Sequence, residues 1–312
     1  MDIDMKTKKT LIKIIILVAI LGIVAILLKT SSDTQREEVY RASIPTAQKY
    51  AMLKRWLAPD SDLIVIADTY RLATIPTLKG FLEEGLLKGS DTAVKAIRSL
   101  LGPETTIGMI SLNATIKESA PSIYVIVQGD FREKVFVDKV KEDLARENLN
   151  LASGDVGPYH LYFQAGEASP FAFVIPDRNH LIVGLKSQME ALLQQKESFE
   201  PPFPTTDSPF FGFLRSSDRI RRILPPQFSS LELAKFFADE SQWLHVTVEC
   251  TDQVQADNLK MFLSGMKALY MLQSESNKLA YDSLGSIIIG GDGNVARIDM
   301  PLAGLPVLFE GK

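Results

Sequence analysis

Pro59-Asp60-Ser61-Asp62-Leu63-Ile64-Val65-Ile66-Ala67-Asp68 is an acidic, proline-led turn opening onto an unbroken apolar run. Residues 63–67 do not alternate with polar ones, so no side of the segment is left for water. That pattern predicts a central strand buried on both faces rather than a half-exposed one. Asp60 and Asp62 read as turn residues at its entry, and Asp68 as the residue that caps or turns the chain at its exit. A divalent-cation cluster built from the same three carboxylates lacks a further ligand set of fixed spacing.

Outward from this strand, the sequence predicts alternating strands and helices. A short helix precedes it at Thr46–Leu57, and helices follow at Pro76–Leu87 and Thr92–Leu101. Pro76 stands in the first turn, where a missing N–H costs nothing. Strands are expected at Thr106–Leu112 and Ser122–Gln128, then a helix over Phe131–Leu149 with one stripe of Phe136, Val137, Val140 and Leu144. Strands at His160–Gln164, Phe171–Ile175 and Leu181–Val183 lead into a helix at Ser187–Gln195. Pro201-Pro202-Phe203-Pro204 cannot continue a helix or a central strand and marks a stiff connection. Beyond it come a helix at Pro209–Leu224, a strand at Trp243–Cys250 and a helix at Val254–Leu272. A strand at Leu284–Ile289 is then joined to Val295–Met300 by the turn Gly291-Asp292-Gly293-Asn294. The order strand, amphipathic helix, paired strands occurs in both halves. The fold class is therefore α+β: two related subdomains, 58–200 and 208–312, with mostly antiparallel sheets covered by helices, joined by a linker at 201–207.

The opening Ala58-Pro59-Asp60-Ser61-Asp62 with its strand ending in Asp68 resembles an uncharacterised family of exported or membrane-anchored bacterial proteins. Gly129-Asp130-Phe131, Gly157-Pro158-Tyr159 and Leu181-Ile182-Val183-Gly184 carry the same resemblance. It implies repeated ferredoxin-like α+β subdomains and an exported location, and no activity.

Residues 11–28 read LIKIIILVAILGIVAILL, apolar apart from Lys13. Eighteen helical residues rise about 27 Å, close to the roughly 30 Å hydrocarbon core of a bilayer. Lys6, Lys8, Lys9 and Lys13 outweigh the Lys and Arg that follow, which favours a cytoplasmic N-terminus, residues 1–10, and an extracytoplasmic remainder. Lys29-Thr30-Ser31-Ser32-Asp33 offers no A-x-A-like cleavage site, so the reading is a single-pass anchor in the inner membrane, not a signal peptide. Residues 29–57 form a polar tether and the short helix. Ala19, Gly22 and Ala25 lie close together on the anchor and suit contact with another transmembrane helix.

The 312 residues carry a net charge of −4, which disfavours nucleic-acid binding. A lone cysteine, Cys250, excludes an internal disulfide, and its apolar-alternating surroundings predict a buried thiol. His160, His180 and His245 are widely spaced and form no metal-ligand pattern on a helix. No nucleophile elbow, S-x-x-K or P-loop occurs, and Gly290-Gly291-Asp292-Gly293 has strand on both sides, as a hairpin requires. Asn113-Ala114-Thr115 satisfies a glycosylation sequon that a bacterial protein does not use. Arg215, Arg219 and Arg222 line one face of the expected helix 209–224, opposite Phe213, Ile220 and Leu224, with Asp218 in reach of Arg222. Such a stripe suits an acidic partner or anionic headgroups. Together these features imply a non-enzymatic binding or scaffold protein of the periplasmic side of the envelope, with a protein partner and no cofactor or metal. The competing readings are a membrane-tethered hydrolase using scattered Asp and Glu, and a lipid or small-molecule carrier.

Overall fold

The computed structural model describes residues 44–73, 75, 107–116, 122–146, 148–166, 171–195, 199–224, 226–273 and 278–302. The chain is α+β, and among the described residues all strand pairs are antiparallel. Among the described residues twelve strands form one sheet. They are β1 (Leu63–Asp68), β2 (Ile107–Thr115), β3 (Ser122–Gly129), β4 (Leu151–Val156), β5 (Tyr159–Gln164) and β6 (Phe171–Asp177). The rest are β7 (His180–Leu185), β8 (Phe210–Arg215), β9 (Leu231–Ala238), β10 (Trp243–Cys250), β11 (Ile288–Gly290) and β12 (Val295–Pro301). The order across the sheet is β11-β12-β10-β9-β8-β1-β2-β3-β7-β6-β5-β4. Helices are α1 (Thr46–Leu53), α2 (Thr69–Ala73), α3 (Glu133–Arg146), α4 (Lys186–Gln194), α5 (Asp218–Ile223), α6 (Gln253–Gln273) and α7 (Lys278–Gly285).

β1 is the junction of the sheet. It pairs with β2 on one side and β8 on the other, and Ile66 stands opposite Ser111 in the first pair and Phe211 in the second. Ile64, Val65, Ile66 and Ala67 are all buried, so both faces of the strand are covered as its uniform sequence requires.

Alternation sends the strand side chains to the two faces of this one sheet. Ile64, Ile66, Tyr124, Ile126, Ile182, Phe211 and Phe213 point to one face, where Tyr50, Leu53, Met189 and Leu192 from α1 and α4 complete the core. On the other face α3 sets Phe136 against Ile175 and Leu181, and α6 sets Ala256 and Leu259 against Ala234 and Val248. The proline-rich stretch 201–204 runs along the first face. Its Phe203 ring lies 5.0 Å from Phe211 and 5.6 Å from Tyr50, and one cluster draws side chains from both sides of that stretch.

Two expectations are corrected. Pro209–Leu224 is not one helix: Phe210–Arg215 is strand β8, and only Asp218–Ile223 is helical. β8 lies between β1 and β9 with residues 211–213 buried, so its aromatic run has no polar alternation to betray a strand. Ser216-Ser217 separates the elements, and Ser217 Oγ accepts from the Ile220 N–H as an N-cap. Likewise the start of Leu284–Ile289 belongs to α7, and the strand is Ile288–Gly290. The expected helices at 76–87 and 92–101 and the apolar run 11–28 lie outside the described residues. No helix among the described residues is long and apolar enough to cross a membrane.

Candidate functional site

The C-terminal end of β1 carries a buried polar network. Asp68, fully buried, accepts from Lys49 Nζ at 2.7 Å and Thr46 Oγ1 at 2.9 Å through Oδ2. Its Oδ1 faces the backbone N–H groups of Tyr70 and Arg71, at 3.2 and 3.3 Å, and so caps α2. α1 presents Thr46, Lys49, Tyr50 and Leu53 toward the sheet at helical spacing, which is why two polar side chains arrive beside Asp68 together. Arg71 extends the network outward: its guanidinium donates to Thr46 Oγ1 at 2.8 Å, Asp207 at 3.1 Å and Glu240 at 2.8 Å. A carboxylate with both oxygens occupied and a cation at contact distance is a lock on geometry.

A cleft lies on each side of this lock. One, of about 240 Å³, is lined by Lys49, Met52, Gln128 and Asn179; the other, of about 190 Å³, by Arg71, Pro209, Glu240 and Gln242. Both fall below the roughly 300–1,000 Å³ of sites that enclose small organic ligands.

Asp60, Asp62 and Asp68 are not gathered at one place. Asp62 accepts from the Ile116 N–H at 2.7 Å at the start of β1, and Asp68 closes its far end, about 20 Å away by strand geometry. Among the described residues no group of His, Cys, Asp and Glu is arranged to hold a metal ion.

Each histidine instead stands beside aspartate. His160 Nδ1 is 2.6 Å from Asp155, its cross-strand neighbour. Buried His180 places Nδ1 2.8 Å from Asp177, whose carboxylate also meets Arg55. Burial pushes the Asp177 carboxyl up, but His180, the Asn179 N–H and Arg55 outweigh it and leave it below the usual carboxylate value. His245 on β10 is held on both ring nitrogens, 2.7 Å from Asp299 on β12 and 3.1 Å from Asp239 after β9, and stacks on Phe237 at 4.7 Å. Burial pulls its pKa down, and the hydrogen bonds and charges of the two carboxylates more than reverse this. The carboxylates occupy opposite nitrogens, so the three groups cannot converge on one ion.

The three arginines are divided between elements. Arg215 is on β8, its guanidinium 5.8 and 5.7 Å from the ring centres of Phe199 and Phe213 and 3.4 Å from the Pro59 carbonyl oxygen. Arg219 and Arg222 share α5; Arg219 donates to the Ile116 carbonyl at 3.2 Å, and Arg222 is exposed. Asp218 lies 4.0 Å from Arg221, not beside Arg222. Ala19, Gly22 and Ala25 lie outside the described residues. Cys250 is buried, and burial raises its thiol pKa. Asn113 is fully buried in β2, closed to glycosylation. Gly290–Gly293 forms the β11–β12 hairpin, with positive φ at Gly291 and Gly293.

Sequence reasoning picked out Asp68 but not Lys49, Thr46 or Arg71 as its partners. Lys49 and Thr46 are 19 and 22 residues from Asp68, and only the docking of α1 on the sheet brings them to it.

No family model and no curated protein matches the chain. Among solved structures, crystal form III of TP0453 is similar at 12% identity, covering 86% of this chain and 98% of that one, with a TM-score of 0.46. Crystal form IV of TP0453 is 12% identical over 83% and 96% at 0.44, and crystal form I is 10% identical over 82% and 96% at 0.46. At these scores the likeness bears on neither activity nor partners.

Proposed function

We propose that this chain is a membrane-anchored, extracytoplasmic binding or scaffold protein of the bacterial envelope. Residues 11–28 hold it in the inner membrane, and two related α+β subdomains, 58–200 and 208–312, form its cargo. The observation that carries this reading is the bond set at Asp68. α1 is the first described helix after the tether, and Thr46 and Lys49 fasten it to the middle strand of a twelve-stranded sheet. A load on the tether therefore enters the sheet at its centre rather than peeling an edge. The relation of the subdomains is supported by α3 and α6, which each follow a strand of their own half and lie on the same face. Arg222 and Arg219 on α5 offer a cationic surface for an acidic partner or headgroups, with Arg215 held on aromatic rings nearby in sequence.

Alkaline carbonate extraction of native membranes tests the anchor. The full chain should stay with the bilayer, and a chain begun at residue 44 should be released. Release of both refutes the anchored reading. Purification of the full chain from membranes in mild detergent, with mass spectrometry of what accompanies it, tests for the partner. A stoichiometric companion also held by the chain begun at 44 supports binding by the cargo.

A further inference from the structure

α6 is apolar on two sides. Its inner side packs Ala256 and Leu259 on the sheet, while its outer side leaves Val254, Met261 and Leu272 about two-thirds exposed, at 65%, 65% and 66%. The outward residues are Val254, Asn258, Met261, Gly265, Ala268 and Leu272, all exposed. Their spacing is 4-3-4-3-4, the seam of a coiled coil, and no charged residue lies in it.

The charges of α6 are turned elsewhere. Lys260 Nζ bonds the Gly291 carbonyl oxygen at 3.0 Å and Asp257, at the seam's margin, at 2.7 Å. Lys267 Nζ bonds the carbonyl oxygens of Gly285 and Ile287 at 2.9 and 2.6 Å. A helix that lies in a lipid surface presents lysine and arginine to the headgroups beside its apolar stripe. Here both lysines of the helix are committed to the protein's own backbone, so the seam fits a protein surface.

We propose that this surface is a second copy of the same chain, packed antiparallel through α6 about a two-fold axis at the level of residue 263. The spacing reads the same in both directions, so in that arrangement every seam residue meets a seam residue. Met261 faces Gly265 of the other copy, Asn258 faces Ala268, and Val254 faces Leu272. Large side chains thus meet small ones in the inner layers, as interdigitation requires. Gly265 supplies the socket: the space where its Cβ would stand has no neighbour within 4 Å. A parallel pair would instead set Met261 on Met261 and Gly265 on Gly265, crowding one layer and emptying the next. A single helix face of this length buries on the order of 500 Å² per copy, below the roughly 800 Å² of a standard interface, so the contact is weak and reversible. It adds a partner to the binding reading and requires nothing of residues 11–28.

The test is sedimentation velocity of the full chain over a concentration series in mild detergent. Wild type should show a monomer–dimer equilibrium. Met261→Glu and Gly265→Met should each weaken it at least tenfold. Combining Met261→Gly with Gly265→Met should restore it, because the layers are rebuilt with their composition unchanged. Matching circular dichroism and thermal midpoints identify the variants as folded; both sites are exposed, so they should be. A monomer at every concentration overturns the proposal. So does a dimer that survives Met261→Glu but is lost in Gly22→Ile, which places association in the anchor. A swap that does not restore the dimer overturns the antiparallel seam. Binding of phosphatidylcholine vesicles that Met261→Glu abolishes and the swap preserves, without any dimer, assigns the stripe to lipid and likewise overturns it.

Discussion

Lys49 Nζ sits 2.7 Å from Asp68 Oδ2, with the two side chains 3% and 0% exposed. The pair joins the first described helix to the central strand, and both side chains are buried. Its energetic role is asymmetric: a buried pair adds little over a well-packed apolar substitute, but breaking it strands a charge. Asp68→Asn should therefore cost about 3–5 kcal/mol. Adding Lys49→Met should recover part of that loss, because the stranded ammonium is gone. Urea unfolding of the two variants decides it, and a double variant less stable than Asp68→Asn alone would falsify the buried-charge account.

His245 makes stability depend on pH. Its folded pKa is raised by Asp239 and Asp299 above the unfolded value of about 6.5, so its contribution is complete below that value. It is lost as pH rises through the folded pKa. Asp239 is shifted the other way: burial raises its pKa, and bonds from the Trp243 N–H and His245 more than offset this. Its contribution disappears only on acidification below the ordinary carboxylate range, outside the histidine window. Urea midpoints should fall by about 1 kcal/mol equivalent from pH 6 to above the raised value, as for a partly exposed ion pair. His245→Gln should flatten that slope; an unchanged slope would rule out His245 as its source.

Gly212 permits β8 to lie against β1. A methyl group there would stand 2.3 Å from the Ile64 carbonyl oxygen and 2.5 Å from the Phe236 ring. Neither the backbone oxygen nor a packed ring retreats cheaply, so Gly212→Ala should destabilise by about 1–3 kcal/mol or more. The same change at Gly265, where the space is open, should be neutral or slightly stabilising to the monomer through helix propensity. Thermal unfolding of the two variants under dilute conditions makes the comparison.

Tyr124 closes the first face. Its hydroxyl accepts from the Ala58 N–H at 2.8 Å and donates to the Trp56 carbonyl at 3.2 Å, and burial raises its pKa well above that of a free phenol. Tyr124→Phe leaves both backbone groups without that partner in the core, a loss of about 1–3 kcal/mol. Hydrogen exchange at the Ala58 amide should quicken more than at strand amides remote from it. Equal changes throughout would mean that only global stability had fallen.

Arg215 tests what became of the arginine stripe. Stacked near Phe199 and Phe213, it should lose about 0.5–1 kcal/mol of stability on substitution by alanine, while Arg222→Ala should leave stability unchanged. An equal, negligible effect at both positions would return Arg215 to the solvent.

Where periodicity is strong, the sequence is legible. Ser122–Gln128, Trp243–Cys250 and the helix at 253–273 lie within a residue or so of their expected bounds, because alternation and a 3.6-residue stripe are local properties. β8 reads as helix in the sequence because Phe213, Ile220 and Leu224 fall at helical spacing by coincidence across a strand, a serine cap and a short helix. β4 and β9 carry no clear strand signal: β4 is half-exposed and carries Gly154 and Asp155, and β9 mixes Glu232 and Lys235 with its apolar positions. At the polar network only Asp68 was visible, since its position after an apolar run is itself a local signal.

By itself the sequence determined the α+β class, the central place of residues 63–67 and the burial of Cys250, all of which depend on the polarity of neighbours along the chain. Tertiary structure decided that β1 pairs with β8 in one sheet, that Lys49 meets Asp68, and that His245 lies between two carboxylates. These relations join residues distant in the chain. Their energies come from desolvation and contact, which exist only once the layers have closed.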